Sequence, residues 1–236
     1  MAGPSGGRLS YEPISVPALV GRLVDVAVDQ AADARGAGHG LRLGIDAPVT
    51  QDGRALADAV AEALAGRGLP VARVRQDGFL RPRSLRLELG ADDPDAAFER
   101  WYDDSGLRRE VLDPLGPGGG MTWVESLWDA EADRASRAPR RPAVPGTVVV
   151  LDGRFLLRWE LAHAVDLVVH LQTSTAAQSR RISDGVERER LLPSWQRYLD
   201  ETDPVGRVLS GAAPGFVVRH EDPRHPALVQ RAAATA

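Results

Sequence analysis

Cysteine is absent from the 236 residues, and so is lysine: all 29 basic residues are arginine. Without thiols there are no disulfides, thiolate metal sites or cysteine nucleophiles. Without lysine there is no Schiff base, no catalytic amine and no lysine to grip a nucleotide phosphate. Excess positive charge is missing too. The formal net charge is −4, so electrostatics give nucleic-acid binding no support. No apolar run approaches the ~20 residues needed to cross a bilayer, and the N-terminus shows no signal-peptide core. The expectation is a cytoplasmic protein with no nucleic-acid and no membrane partner. Its length fits one domain, or a core domain carrying an insertion.

What is present centres on Leu41–Ala61, L-R-L-G-I-D-A-P-V-T-Q-D-G-R-A-L-A-D-A-V-A. A short apolar strand (Leu41–Ile45) enters a Pro/Gly turn, and a helix (Ala55–Ala65) follows. That order is how a phosphate-binding loop is built. Upstream, apolar residues at Leu19, Val20, Leu23, Val24 and Val28 recur with helical period over Pro17–Ala34. Downstream, strands are expected at Val71–Val74, Thr147–Leu151, Asp166–Leu171 and Phe216–His220. Helices are expected over 95–102, 107–115, 176–183 and 193–201. The β-branched run at Thr147–Leu151 marks a strand buried on both faces. Strands alternating with helices give an α/β fold, a doubly wound parallel sheet with helices on both faces. Asp46, Asp77 and Asp152 then stand at strand carboxyl ends, where such sheets bind ligands. As single residues they also fit ordinary turn and capping roles.

From about Val16 to about Pro223 the chain resembles the uridine kinases and their bacterial relatives among the P-loop nucleoside kinases. Gly44-Ile45-Asp46 matches the entry to the family's phosphate loop. Gln76-Asp77-Gly78-Phe79 matches the motif whose aspartate is the general base, which implies Asp77 in that role and Phe79 beside the substrate. Asp92-Asp93-Pro94-Asp95-Ala96 resembles the segment that holds ribose hydroxyls, through Asp92. Leu112 to Gly119 is similar to a string in bacterial members. Trp128-Asp129 stands where the family places an aromatic–Asp pair beside the nucleoside. Asp152 occupies the magnesium side. Arg180-Arg181 and Glu187 to Arg190 resemble the lid, which implies transition-state roles for Arg181, Arg188 and Arg190. The resemblance implies a three-layer P-loop NTPase-type sheet over 16–225, with a substrate-side insertion at about 80–145 and a helical lid at about 180–192. The stretches 1–15 and 226–236 are expected to be tails.

The phosphate loop departs from its pattern, G-x-x-x-x-G-K-[ST]. Aligned without gaps, Ala47 takes the first glycine, Asp52 the second, Gly53 the lysine and Arg54 the hydroxyl residue, with Thr50 between them. Shifted by one, Gly53-Arg54-Ala55 resembles Gly-Lys-Ser. The inward-turned N–H groups, the cation and a magnesium ligand are all affected. Losing one donor aimed at developing charge typically costs ~10²–10³ in rate. Two readings follow. One is a silent or repurposed relative that binds a nucleoside-like small molecule or regulates an active homologue. The other is a divergent phosphotransferase using Mg-ATP, with Asp77 as base. Homo-oligomerisation is left open.

Overall fold

The computed structural model describes residues 8–88, 90, 93 and 95–232. Seven strands form one mixed sheet: β1 (Leu9–Pro13), β2 (Leu41–Asp46), β3 (Val71–Arg75), β4 (Val148–Gly153), β5 (Leu167–Gln172), β6 (Gly215–Arg219) and β7 (Ala227–Arg231). Their spatial order is β1-β7-β6-β5-β2-β4-β3. The five strands from β6 to β3 run parallel. β7 and β1 extend that sheet antiparallel. The expected tails therefore contribute strands. Leu9 pairs with Arg231 and Pro13 with Ala227, so each segment supplies the hydrogen-bond partners the other lacks.

Helices cover both faces. α1 (Val16–Gly36) starts at Ser15, whose Oγ accepts from Ala18 N at 3.3 Å, a cap that contributes about 1 kcal/mol. It buries Leu19, Leu23, Val24, Ala27, Ala31 and Ala34. Together with α2 (Thr50–Gly66) it packs on Leu43 and Ile45 of β2 and Val148 and Val150 of β4. On the opposite face lie α3 (Thr175–Arg181), α4 (Gly185–Thr202) and α5 (Pro204–Leu209), where Trp195, Tyr198 and Val208 pack beside Val168 and Val217. The strand expected from the Thr147–Leu151 patterning is buried on both sides, Val148 and Val150 facing one cluster and Val149 and Leu151 another.

Two helix starts differ from the sequence expectation. α2 begins at Thr50, five residues before Ala55, leaving only Ala47, Pro48 and Val49 between strand and helix. α4 begins at Gly185, with Pro193 inside it. Pro193 reads as a first-turn proline because its ring removes an interior hydrogen bond. The earlier cap is at Asp184, whose side chain accepts from Glu187 N at 2.9 Å. The segment expected as a lid, about 180–192, thus spans the end of α3, the short 182–184 connection and the first half of α4. Between β3 and β4 the chain forms short helical turns and two small hairpins, Thr122–Val124 with Arg140–Pro142 and Trp128–Asp129 with Arg134–Ala135. The helix expected over 95–102 is confined to Ala96–Glu99.

Candidate functional site

β2 lies between β4 and β5; from β2 the chain crosses to β3 at one edge, whereas from the neighbouring β5 it continues to β6 in the opposite direction. Ligand crevices form outside the carboxyl ends of strands at such a switch point. The three strand-end aspartates meet different fates there. Asp46 is fully buried: its carboxylate accepts from Tyr198 Oη at 2.7 Å and Leu156 N at 3.1 Å, and it faces His170 Nδ1 at 2.8 Å. This network ties β2, β5 and α4 together and lines neither of the two cavities beside Asp77. Asp152 is buried as well. Arg73 Nη2 approaches its Oδ1 at 2.5 Å as an ion pair without hydrogen-bond alignment, and burial pushes the Asp152 carboxyl up despite that neighbouring charge. Only Asp77 faces open space.

The turn Gln76–Phe79 shows how the chain arranges this. Gln76 is buried and its Oε1 accepts from Arg154 N at 2.7 Å. A Cβ at Gly78 would meet Ser126 Cβ at 2.8 Å, so glycine lets the Trp128 hairpin close on the strand end, and Leu127 N donates to Gly78 O at 2.8 Å. Phe79, expected beside a substrate, is 1 % exposed and packs with Leu107, Leu112 and Trp123. It is a core anchor because an apolar ring gains most by leaving water.

Asp77 stands between two neighbouring cavities. The lid-side cavity, about 470 Å³, is lined by Thr50, Arg54, Trp101, Tyr102, Arg154 and Arg190 among others. The hairpin-side cavity, about 610 Å³, is lined by Arg73, Arg75, Glu125, Ser126, Trp128 and Asp129 among others. Arg54, Asp77 and Ala130 border both. Arg54 Nη2 donates to Asp77 Oδ2 at 3.0 Å.

The stretch Ala47–Arg54 divides by helix face. Ala47 and Val49 are buried, and Ala47 N donates to Gly153 O at 2.9 Å. Gly53 faces inward, where a Cβ would meet Ala47 Cβ at 2.9 Å. Glycine here allows α2 to approach β2; it lines neither cavity. Thr50 and Arg54 point the other way. Asp52 forms a short ion pair with Arg181, whose Nη2 also donates to the carbonyls of His220 at 2.6 Å and Glu221 at 2.9 Å.

Arg154 was not legible as a site residue, though it follows Asp152-Gly153 directly. Its guanidinium is buried over the β2–α2 connection, donating to Pro48 O at 3.0 Å, Tyr102 Oη at 3.3 Å and Glu187 Oε1 at 3.1 Å. Among the lid arginines, Arg188 donates to the carbonyls of Ser179 and Ile182 at the end of α3 and lines neither cavity. Such a bond satisfies helix-terminal acceptors. Arg190 does border the lid-side cavity; it has no ion-pair partner among the described residues, and its Nε is buried without an acceptor. Trp128 donates from Nε1 to Asp133 Oδ1 at 3.3 Å, and Asp129 accepts from Glu131 N and Ala132 N in a side-chain-capped turn. Asp92 lies outside the described residues. Among those described, no cluster of three or more His or acidic side chains could hold a metal ion, and no helix is long and apolar enough to cross a membrane.

No known family model and no curated protein sequence matches the chain. Solved structures do. A possible uridine kinase from Bacillus stearothermophilus superposes with TM-score 0.61 at 20% identity, covering 80% of this chain and 96% of that one. A candidate fructose transport system kinase from Silicibacter sp. TM1040 gives 0.58 at 20% identity, covering 78% and 94%. D-glycerate 3-kinase from Cryptococcus neoformans var. grubii gives 0.54 at 16% identity, covering 76% and 88%. The mostly parallel sheet with helices on both sides is the fold of these P-loop kinases, and this chain has that fold.

Proposed function

We propose that this protein is a uridine kinase-like relative that binds a nucleoside-like small molecule in the cleft at Asp77 and does not transfer phosphate from ATP. The pairing of Asp52 with Arg181 carries this reading. Asp52 stands where the second glycine of a phosphate loop is expected, and it supplies its own carboxylate to the lid arginine that a phosphate would otherwise engage. A carboxylate there repels a phosphate and competes for its cation.

The surroundings point the same way. Thr50–Gly53 is helix where a cradle of N–H groups would need to curl. The Pro48 carbonyl is engaged by Arg154. Asp152 fits poorly as a magnesium ligand, being closed off by Arg73 and raised by burial. Magnesium also needs oxygen ligands beyond one carboxylate. By contrast, the Asp77 side keeps open volume, acceptors and the half-buried Trp128. The protein would serve as a ligand-binding or regulatory homologue of an active kinase.

Thermal denaturation with Mg-ATP tests this. A site with Kd of ~50 μM, held at ~5 mM nucleotide, would add about 2.7 kcal/mol and shift Tm by several degrees. We expect a shift below about 1 °C with Mg-ATP and a measurable one with a nucleoside panel. The opposite reading, a divergent phosphotransferase with Asp77 as base, requires ATP turnover that disappears in Asp77→Asn.

A further inference from the structure

The geometry points to the Arg54–Asp77 ion pair as a ligand-operated latch across the cleft, which opens for a hydroxylated phosphate monoester. This rests on the reading that the cleft receives a small hydroxylated molecule, and it specifies both the ligand and what that ligand must displace.

The first observation is position. The two cavities share Arg54, Asp77 and Ala130 as their common wall, so the pair divides what would otherwise be one cleft. The second is that the pair is loosely held. The Arg54 and Asp77 side chains are 36 % and 35 % exposed and meet through one contact at 3.0 Å, and exposed pairs of this kind contribute little. The third is that each partner has an alternative. The charge of Arg54 also reaches Asp152, and that of Asp77 reaches Arg154. Each group therefore keeps a charged neighbour when the 3.0 Å contact opens.

The chemistry of the two compartments selects the ligand. On the lid side the four arginines Arg54, Arg86, Arg154 and Arg190 face the three acids Asp77, Asp184 and Glu187. Arg54 engages Asp77, Arg154 engages Glu187, and Asp184 is occupied as the cap of α4, while Arg190 has no ion-pair partner among the described residues. That end has an unmatched positive charge and suits an anion. On the hairpin side, Ser126, Asp129 and Glu131 offer oxygen acceptors beside the Trp128 ring, which suits hydroxyl donors and a flat or ring-shaped body. A phosphate monoester of a sugar or nucleoside joins both features. Its phosphate would take Arg54 away from Asp77, leaving that carboxylate to accept a ligand hydroxyl. No bond is made or broken, so the pair regulates binding alone.

Isothermal titration without magnesium or ATP tests the latch, using uridine 5′-monophosphate, ribose 5-phosphate, uridine and inorganic phosphate against the parent, Asp77→Asn, Arg54→Met and the double variant. Asp77→Asn should bind both monoesters about fivefold tighter or better, because Arg54 is released and a carboxylate that repels phosphate is gone. Arg54→Met should bind them more weakly, and in its background Asp77→Asn should lose most of its gain. Tighter binding of the nucleotide than of the sugar phosphate assigns the ring body to Trp128; equal binding assigns the sugar alone. Unchanged or weaker binding by Asp77→Asn overturns the latch, as does an equal gain in the Arg54→Met background. Inorganic phosphate binding as tightly as the monoesters overturns the ligand assignment. Because no ATP is present, ATP turnover in a separate assay would refute the silent reading without touching this result.

Discussion

Asp52 and Asp77 each hold an arginine at the carboxyl ends of the parallel strands, and the two pairs are built differently. Asp52 and Arg181 are 13 % and 18 % exposed, and Arg181 is further fixed by two carbonyls at the end of β6. Asp77 and Arg54 are about one-third exposed and share a single contact. The first pair is fixed in place, because removing either partner leaves a charge with little water to solvate it. The second can exchange its contact for water or for a ligand. The same residue types thus form one fixed pair and one adjustable pair, and burial decides which.

The largest effect should come from breaking the more buried pair. Asp52→Ala leaves Arg181 to its two carbonyls and should cost roughly 2–4 kcal/mol in urea denaturation. A loss under about 0.5 kcal/mol, the range of ordinary surface changes, would mean that the pair is decorative and the contrast false.

A carboxylate buried more deeply than either Asp52 or Asp77, that of Asp104, sharpens the rule that burial sets the outcome. Asp104 is ion-paired with Arg158 at 3.2 Å, yet burial outweighs that charge and raises its pKa from 3.8 to about 6. The folded protein therefore holds this proton more tightly than the unfolded chain. The contribution to stability is fully present below the unfolded value and is lost as pH rises through about 6, on the order of 2–3 kcal/mol. Asp104→Asn should flatten that part of the stability profile between pH 4 and pH 6, as read from Tm against pH relative to the parent. Parallel profiles for the two proteins would refute it.

The smallest effect belongs to the more exposed pair. Arg54→Met should change stability by less than about 1 kcal/mol, even though it alters ligand affinity. Chemical denaturation of this variant beside Asp52→Ala measures the contrast directly, and equal losses would abolish it.

The positions of the five parallel strands along the chain could be anticipated because buried parallel strands are written as short β-branched runs, as in Val148–Leu151, whereas their spatial order and the two edge strands could not. The candidate site was only partly legible. Asp77 at the end of β3 does face the cleft, and Trp128, Asp129 and Arg190 border its cavities. Phe79, Gly53 and Arg188 carry the right residue types but turn to the core, to Ala47 and to helix carbonyls. A motif specifies a backbone position, whereas the direction of each side chain depends on what packs against it. Arg154 was missed for the reverse reason: no local pattern announces an arginine that reaches across to the Pro48 carbonyl.

By itself, the sequence determined that no lysine, thiol or glycine-rich cradle is available to this protein, since composition and spacing are properties of the chain alone. It also set the alternation that yields a kinase-type sheet. Only the tertiary structure decided how the remaining charges are spent. It placed Asp52 against Arg181, Arg73 against Asp152 and Arg54 against Asp77, residues 129, 79 and 23 positions apart. Such pairings depend on which strands lie side by side and how much water each pocket retains, and neither is encoded locally.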